Sequence, residues 1–381
     1  MRRAHFERHA FTLTPLSPIH VGTGETIEPY EYDLFSGREV RSLVAFDLDA
    51  LLSQLTDVQR REFLKLTESA NVVALRAWFR KLPHRDQCRR FAVALGSTAA
   101  RDIAQHLDNP NRLGEIHLLP RHPGTGWCYL PGSSVKGAMR TALIDGVARR
   151  LGTNLAPLLE IRADADRFKW AGAQFEAAVL GNQKFDGKAD LYRDPFRQIA
   201  VTDLTVPNDG TFIDRIQIRK RNQSESAADP GGIVMYREVT RAAVYGEPQT
   251  LAAELRLHPE LCDERTMGTN RDGLSNALPQ RFPLTDLIGF CNAFYLPRLR
   301  SELQEFVKNA TVRERLQTAA NELTETECVI RLGRHSHFEC MTLGEPYHLA
   351  PRRGFGATRS FVEGLVPLGW AKLTFTPPPS P

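Results

Sequence analysis

The chain has 381 residues, 42% of them hydrophobic and 25% charged, with a formal net charge of +4. This is the balance of a globular protein with a sizeable core, long enough for two modest domains or one domain with large insertions. It excludes a membrane span, since no apolar run approaches the roughly 18 residues required, and the basic start MRRAHFERHAF lacks the apolar stretch of a signal peptide. The expected compartment is therefore the cytoplasm.

Residues 10–21, AFTLTPLSPIHV, alternate apolar and polar positions as a half-buried strand does, and the GTGE that follows is a turn. Residues 46–107 carry a helical pattern, two or three helices broken near Pro83 and Gly96. A loop rich in Gly and Pro follows over 109–132. The next helix, 134–151, brings Met139, Leu143, Val147 and Leu151 onto one side. Residues 196–206, 212–220, 233–244 and 249–257 read as strands. Between the second and third of these, RKRNQSESAADPGG is polar and reads as a flexible hairpin tip. Residues 283–323 read as helical with a break at Pro297, and short strands near 326–332, 338–343 and 365–376 close the chain. Strands and helices mix without the regular alternation of a doubly wound sheet, which predicts an α+β fold. The expected division is an N-terminal domain over 1–258, with its helical insertion at about 46–107, and a C-terminal region over 259–381 that completes the fold.

Nine of the 49 cations are lysine, so arginine dominates, and arginine suits bidentate phosphate contact and base stacking. The segment PGSSVKGAMRTAL runs from a turn into a helix that Ser133 or Ser134 can cap. Lys136 and Arg140, four apart near that N-terminus, repel each other and oppose the helix dipole, an arrangement that a phosphate between them explains. The hairpin tip offers Arg219, Lys220 and Arg221. RLGRHSHFECMTL reads as strand, turn, strand, with Arg334, His335 and His337 at the turn. PRRGFGATRSF sets Arg352, Arg353 and Arg359 among Gly354 and Gly356 around Phe355, a pattern suited to phosphates and a stacked base.

Catalysis finds little to build on. GxSxG and HExxH are absent, and the acid pairs Asp47/Asp49 and Asp164/Asp166 are two residues apart, which sends their side chains to different sides of a helix. The six cysteines are scattered with no CxxC pair, and His335, His337 and Cys340 lack a fourth ligand, so neither a disulfide framework, a metal nor a cofactor is expected.

In order and spacing, LTPLSPIHVGTGE, PGSSVKGAMRTAL, FRQIAVTDL and a late glycine turn closing on PLGW resemble the RAMP superfamily of CRISPR proteins, and within it the fifth Csm subunit of type III-A effector complexes. The likeness runs over nearly the whole chain. It implies an RRM-like (ferredoxin-like) core with helical insertions, and a β-hairpin thumb between residues 201–207 and 236–248. It also implies RNA contacts from His20 and Gly22, and a place beside neighbouring backbone subunits at the 3′ region of a guide RNA. Target RNA is then met indirectly, and nucleases from elsewhere trim the guide. The family's late loop is richer in glycine; here His335 and His337 stand in it, which predicts a loop of different shape. The resemblance also bears on cleavage. Sister backbone subunits carry a cleaving aspartate after a segment like IHVGTGE, and the nearest acid here is Asp33, with His20 before it. The expectation is that this chain does not cut RNA. Two alternatives remain open, an endoribonuclease of the same superfamily and the equivalent subunit of a type III-B complex.

Overall fold

The computed structural model describes residues 6–36, 41–107, 109, 114–151, 175–177, 179–182, 190–191, 194–221, 235–246, 248–258, 283–341 and 356–376. The chain opens on β1 (Glu7–Pro15), whose inner half alternates buried and half-buried residues, as its sequence pattern requires. Three short strands follow, β2 (Thr26–Ile27), β3 (Tyr32–Ser36) and β4 (Arg41–Phe46). Then come α1 (Leu48–Ser53), α2 (Asp57–Glu68) and α3 (Val72–Phe79). Each of these helices is capped from its own sequence. Asp47, Thr56 and Asn71 accept the backbone N–H three residues on, and Gln59 completes a capping box with Thr56.

The chain continues through β5 (Arg89–Leu95), α4 (Ser97–His106), β6 (Ile116–His117), β7 (Tyr129–Leu130) and α5 (Gly132–Leu151). Strands β8 (Ile199–Val201), β9 (Leu204–Thr205), β10 (Thr211–Lys220), β11 (Met235–Thr240) and β12 (Leu251–Leu257) follow. The final part holds α6 (Leu284–Glu305), α7 (Ala310–Asn321), β13 (Glu327–Arg331), α8 (His337–Met341), β14 (Thr358–Val362), β15 (Val366–Pro367) and β16 (Trp370–Phe375).

The fold is α+β. One antiparallel sheet runs β13-β16-β1-β12-β8. Helix α5 connects β1 to β8, and α6 lies between β12 and β16. The order β16-β1-β12-β8 with these two crossings is the split βαβ arrangement of a ferredoxin-like unit, and β13 extends its edge. Met139, Leu143 and Val147 of α5 are fully buried, in one core with Phe294 and Leu299 of α6 and Leu13 of β1. A second sheet, β2-β6-β11-β10-β5-β4-β3, is built from two insertions, β2 to β6 between β1 and α5 and β10 with β11 between β8 and β12, and β14 adds to β10. Leu43, Val93, Ile116, Ile213 and Tyr236 form its core. A third, smaller core under α1 and α3 is built from Phe46, Leu51, Leu75 and Phe79.

Four expectations need correction. Arg89–Leu95 is a strand inside the stretch read as helical, paired with β4 and β10. Helix α6 runs through Pro297, because packing against α5 and β13 outweighs a proline cost of about 3 kcal/mol. Residues 337–341 form a helical turn rather than a strand. Thr358–Val362, read as part of a glycine loop, is a buried strand on β10. The strands β10 and β11 do form the predicted hairpin, but their described residues are set within the second sheet, and the tip at 222–234 lies outside the described residues.

The junction of β5 and α4 carries a pH-sensitive pair. The N-cap of α4 is Gly96, which has no side chain to offer. Glu363 accepts the Thr98 N–H at 3.3 Å instead, and Asp214 is buried beside it. Burial, and then the Glu363 charge, push the Asp214 carboxyl up to about 7. Its folded value therefore lies above its unfolded one. The stability it lends is full below the ordinary aspartate range and is lost as pH rises through about 7. Asp214→Asn escapes this loss. Relative to wild type, the variant is expected to gain up to about 1.4 kcal/mol per pH unit between the unfolded and folded values and to level off above about 7, read from denaturation midpoints at pH values from about 4 to 8.

Candidate nucleic-acid interface

Three segments singled out in the sequence meet in one groove of about 470 Å³, lined by Gly22, Ser134 and Arg334 together with Val21, Gly137 and Thr141. The meeting is built by the backbone. After β1, the stretch 16–20 threads between the two sheets: Trp370 O accepts from Leu16 N at 2.9 Å, and Thr240 N donates to Ile19 O at 3.0 Å. Arg334 N then donates to His20 O at 3.1 Å. Gly333, at φ +88°, allows this approach, because a Cβ there would collide with the His20 carbonyl. On α5, Ser134, Gly137, Ala138 and Thr141 share the groove face at three- and four-residue spacing. Ser133 is exposed at the helix start. Neither serine sits at the cap position expected of it; helix α5 already begins at Gly132, whose N–H donates to Asp203 at 2.8 Å.

Beside the groove lies a buried cation. Arg237 on β11 is 3% exposed, and its guanidinium touches His20 Nε2 at 3.0 Å. His20 Nδ1 lies 2.7 Å from the Glu238 carbonyl. Together these two contacts fix the tautomer: Nδ1–H donates to the carbonyl and Nε2 accepts from arginine. His20 must be neutral to do this, and burial followed by Arg237 brings it down to about 4 once the opposing carbonyl bond is counted. The neighbouring Glu238, fully buried, is well satisfied: Arg121 (2.6 Å), Thr211 (2.8 Å) and Leu119 N (3.2 Å) all donate to it. Arg237 is not. No carboxylate pairs with it among the described residues, and its Nε has no hydrogen-bond partner. Burial, and then the Arg334 charge, push its guanidinium down to about 10. His335 is also buried near it, with Nδ1 on Ser360 Oγ at 2.9 Å, Nε2 without a partner, and burial holding it at about 2. A buried arginine beside Arg334 and without a paired carboxylate is costly, since Glu115 acts on it only from a distance, and an anion is what relieves it.

The sequence reasoning missed Arg237. Its signal was the adjacent Arg237–Glu238 pair inside an otherwise apolar strand, YREVT.

The other predicted residues are used differently. Lys136 and Arg140 lie on the flank of α5 away from the groove. Lys136 Nζ donates to Ile199 O at 2.7 Å, and Arg140 binds Asp194 at 2.8 Å and Glu176 at 3.2 Å. These carboxylates supply the negative charge for which a phosphate was invoked. Arg219 is buried on β10 directly opposite Arg359 of β14, Lys220 is exposed at the strand end, and Arg221 pairs with Glu305 at 2.9 Å. Arg359 is buried against Glu302 and Glu339, both at 2.8 Å. His337 takes the left-handed conformation, φ 57°, in the loop where glycine was expected, and its Nε2 accepts from Ser360 N at 3.2 Å. Arg352 and Arg353 lie outside the described residues.

Asp33 does not meet His20. It sits in β3, held by Arg85 and, at 3.3 Å, by Arg80. His20 hangs from β11, and the order β11-β10-β5-β4-β3 puts four strand spacings between them, on the order of 20 Å. The two therefore do not converge on one phosphate. Among the described residues, no three His, Cys, Asp or Glu side chains come together as a metal-binding set. None of the described helices is long and apolar enough to cross a membrane.

Comparison with known proteins accords with this geometry. The sequence matches the model of the RAMP superfamily over residues 12–265. No curated protein matches it. Among solved structures, it is similar to a chain of the cryo-EM structure of a Csm–crRNA–target RNA ternary complex in the type III-A CRISPR-Cas system. The TM-score there is 0.69 at 19% identity, over 97% of this chain and 100% of that one. It is also similar to the crystal structure of T. onnurineus Csm5, with a TM-score of 0.53 at 15% identity, over 94% and 99%. At such identities these structures speak for the fold. The family model speaks for descent, because it spans more than half of the sequence: the chain belongs to the RAMP superfamily.

Proposed function

We propose that the chain is a non-catalytic, guide-RNA-holding subunit of a type III-A CRISPR effector complex. It caps the 3′ end of the row of backbone subunits and supports guide maturation and antiviral defence in the cytoplasm. Its partners are the guide RNA and the adjoining backbone subunits. Target RNA reaches it through the guide, and host nucleases do the trimming. The observation that carries this reading is Arg237: a buried cation without a paired carboxylate, bonded to His20, which directly precedes the groove residues Val21 and Gly22, and near the exposed groove residue Arg334. A polyanion that lays one phosphate there satisfies it. The similarity to a chain from a complex with crRNA and target RNA supports the choice of polyanion and of assembly.

The reading is tested by purifying the chain from its own host and sequencing the RNA that comes with it. Guide RNAs with the chain cross-linked near their 3′ ends are expected, and cross-links confined to the 5′ end would overturn the cap assignment. Cleavage is tested separately, with guide precursor and matched target RNA plus divalent metal. No product is expected from the purified chain. Asp33→Ala is expected to lower stability by leaving the buried Arg85 uncompensated. A product made by wild type and lost in Asp33→Ala, with binding intact, would make the chain an endoribonuclease.

A further inference from the structure

The turn that leads into α5 presents a tryptophan to solvent. Trp127 is 46% exposed, whereas Trp370 is fully buried and Trp78 is half-buried with its indole on Glu62. We propose that residues 121–128 form a stacking platform on which Trp127 takes the face of one unpaired nucleobase. The proposal rests on the RNA-holding function above and adds a nucleobase contact beside its phosphate contact.

The turn is stiff. His122 N donates to Trp127 O at 2.9 Å and Gly126 N donates to His122 O at 2.8 Å. Trp127 N donates to Thr125 Oγ1 at 3.3 Å, and Arg121 Nη1 to Gly126 O at 3.2 Å. Gly126 takes φ +70°, which closes the turn. The indole is therefore held out on ordered backbone, and little freedom is lost when something stacks on it.

The base of the turn is tied to the cationic site. Arg121 and Cys128 both bond Glu238, whose backbone carbonyl holds His20, and His20 in turn holds Arg237. On the other side, Tyr129, stacked on His122 at 4.4 Å, leads to the start of α5 at Gly132. That start lies within about 17 Å of extended chain from Trp127.

The surroundings select the occupant. RHPGTGWCY contains no acid, and its one arginine, Arg121, is neutralised by the buried Glu238, so the turn itself sets no negative charge against a polyanion. The residues before the indole are Gly124, Thr125 and Gly126, too small to form the packed rim that surrounds a tryptophan at a protein–protein hot spot. A single exposed π-face on a turn free of acidic residues fits a base, of any identity, from single-stranded RNA.

The test uses full-length wild type, Trp127→Ala and Trp127→Phe, titrated with a single-stranded oligoribonucleotide at several salt concentrations. Trp127→Ala is expected to bind about 5- to 150-fold more weakly, the loss of one base–aromatic stack. Its salt dependence should match wild type, because no phosphate contact is removed. Trp127→Phe, which keeps a ring, should recover most of the affinity, and thermal unfolding should be unchanged in both. Wild-type affinity in Trp127→Ala, with salt-dependent binding intact, would overturn the platform and leave the RNA-holding function standing. Unchanged RNA binding with weakened assembly onto neighbouring subunits would overturn it in favour of a protein contact. No RNA binding by wild type would overturn both.

Discussion

Glu302→Gln is expected to destabilise the chain by about 3–5 kcal/mol, the cost of removing one partner from a buried ionic network. Glu302 is 1% exposed in α6 and serves three donors. Arg331 binds it bidentately, Arg359 Nε lies at 2.8 Å, and Trp370 Nε1 donates at 3.1 Å. Glutamine keeps the volume and loses the charge, which strands the Arg331 guanidinium inside the core. Arg359 retains Glu339 at 2.8 Å. The pair Glu302→Gln with Arg331→Met should recover part of the loss, because the stranded charge is then absent. Urea denaturation checks both. A single variant within about 0.5 kcal/mol of wild type, the usual range of a neutral surface change, would mean that the network is not what holds α6 to β13 and β14.

Arg237→Met is expected to move stability and binding in opposite directions. Arg237 has no carboxylate in salt-bridge contact among the described residues, with only Glu115 acting on it from a distance, so an apolar side chain of similar volume should be neutral or stabilising, by about 1–4 kcal/mol. Under the proposed function, the same change removes a charged hydrogen-bonding partner of the RNA. Binding should weaken by about 1.5–3 kcal/mol, and the salt slope should fall by about 0.7 for the one phosphate lost. A residue that merely supported the fold would lose stability and keep the slope. Arg334→Ala should show the slope change without the stability gain, since Arg334 is exposed.

Regular periodicity carried much of the fold into the sequence. The α5 pattern of Met139, Leu143 and Val147 is a buried helix face, and the alternation at the start of the chain is β1. Arg89–Leu95 was lost because seven residues of strand, with Phe91, Val93 and Leu95 alternating, sit between helical stretches that share the same apolar residues. Proline at 297 misled for another reason: a local rule was applied to a helix that tertiary burial decides.

The candidate interface was half legible. Gly22, Ser134 and Arg334 could be picked out because turns and helix starts have local signatures. Whether a cation is free or paired depends on which carboxylate arrives from elsewhere in the fold. Asp194 reaches Arg140 across 54 positions and Glu302 reaches Arg359 across 57, and neither pairing leaves a mark in the neighbouring sequence.

The first strand has a long wait. Phe11 faces Phe375 and Pro15 faces Ala371, while the other edge of β1 is taken by β12. At about 5–20 residues per second, a ribosome needs on the order of 20–70 s to deliver β16 after β1 has been made. Until then one edge of the central strand of the ferredoxin-like unit carries unpaired N–H and C=O groups, open to pairing with any strand nearby. Chaperone binding to the nascent chain, or early capture by another member of the assembly, is therefore of most use before residue 370 has been made, and a nascent chain stalled short of that point should be the aggregation-prone species.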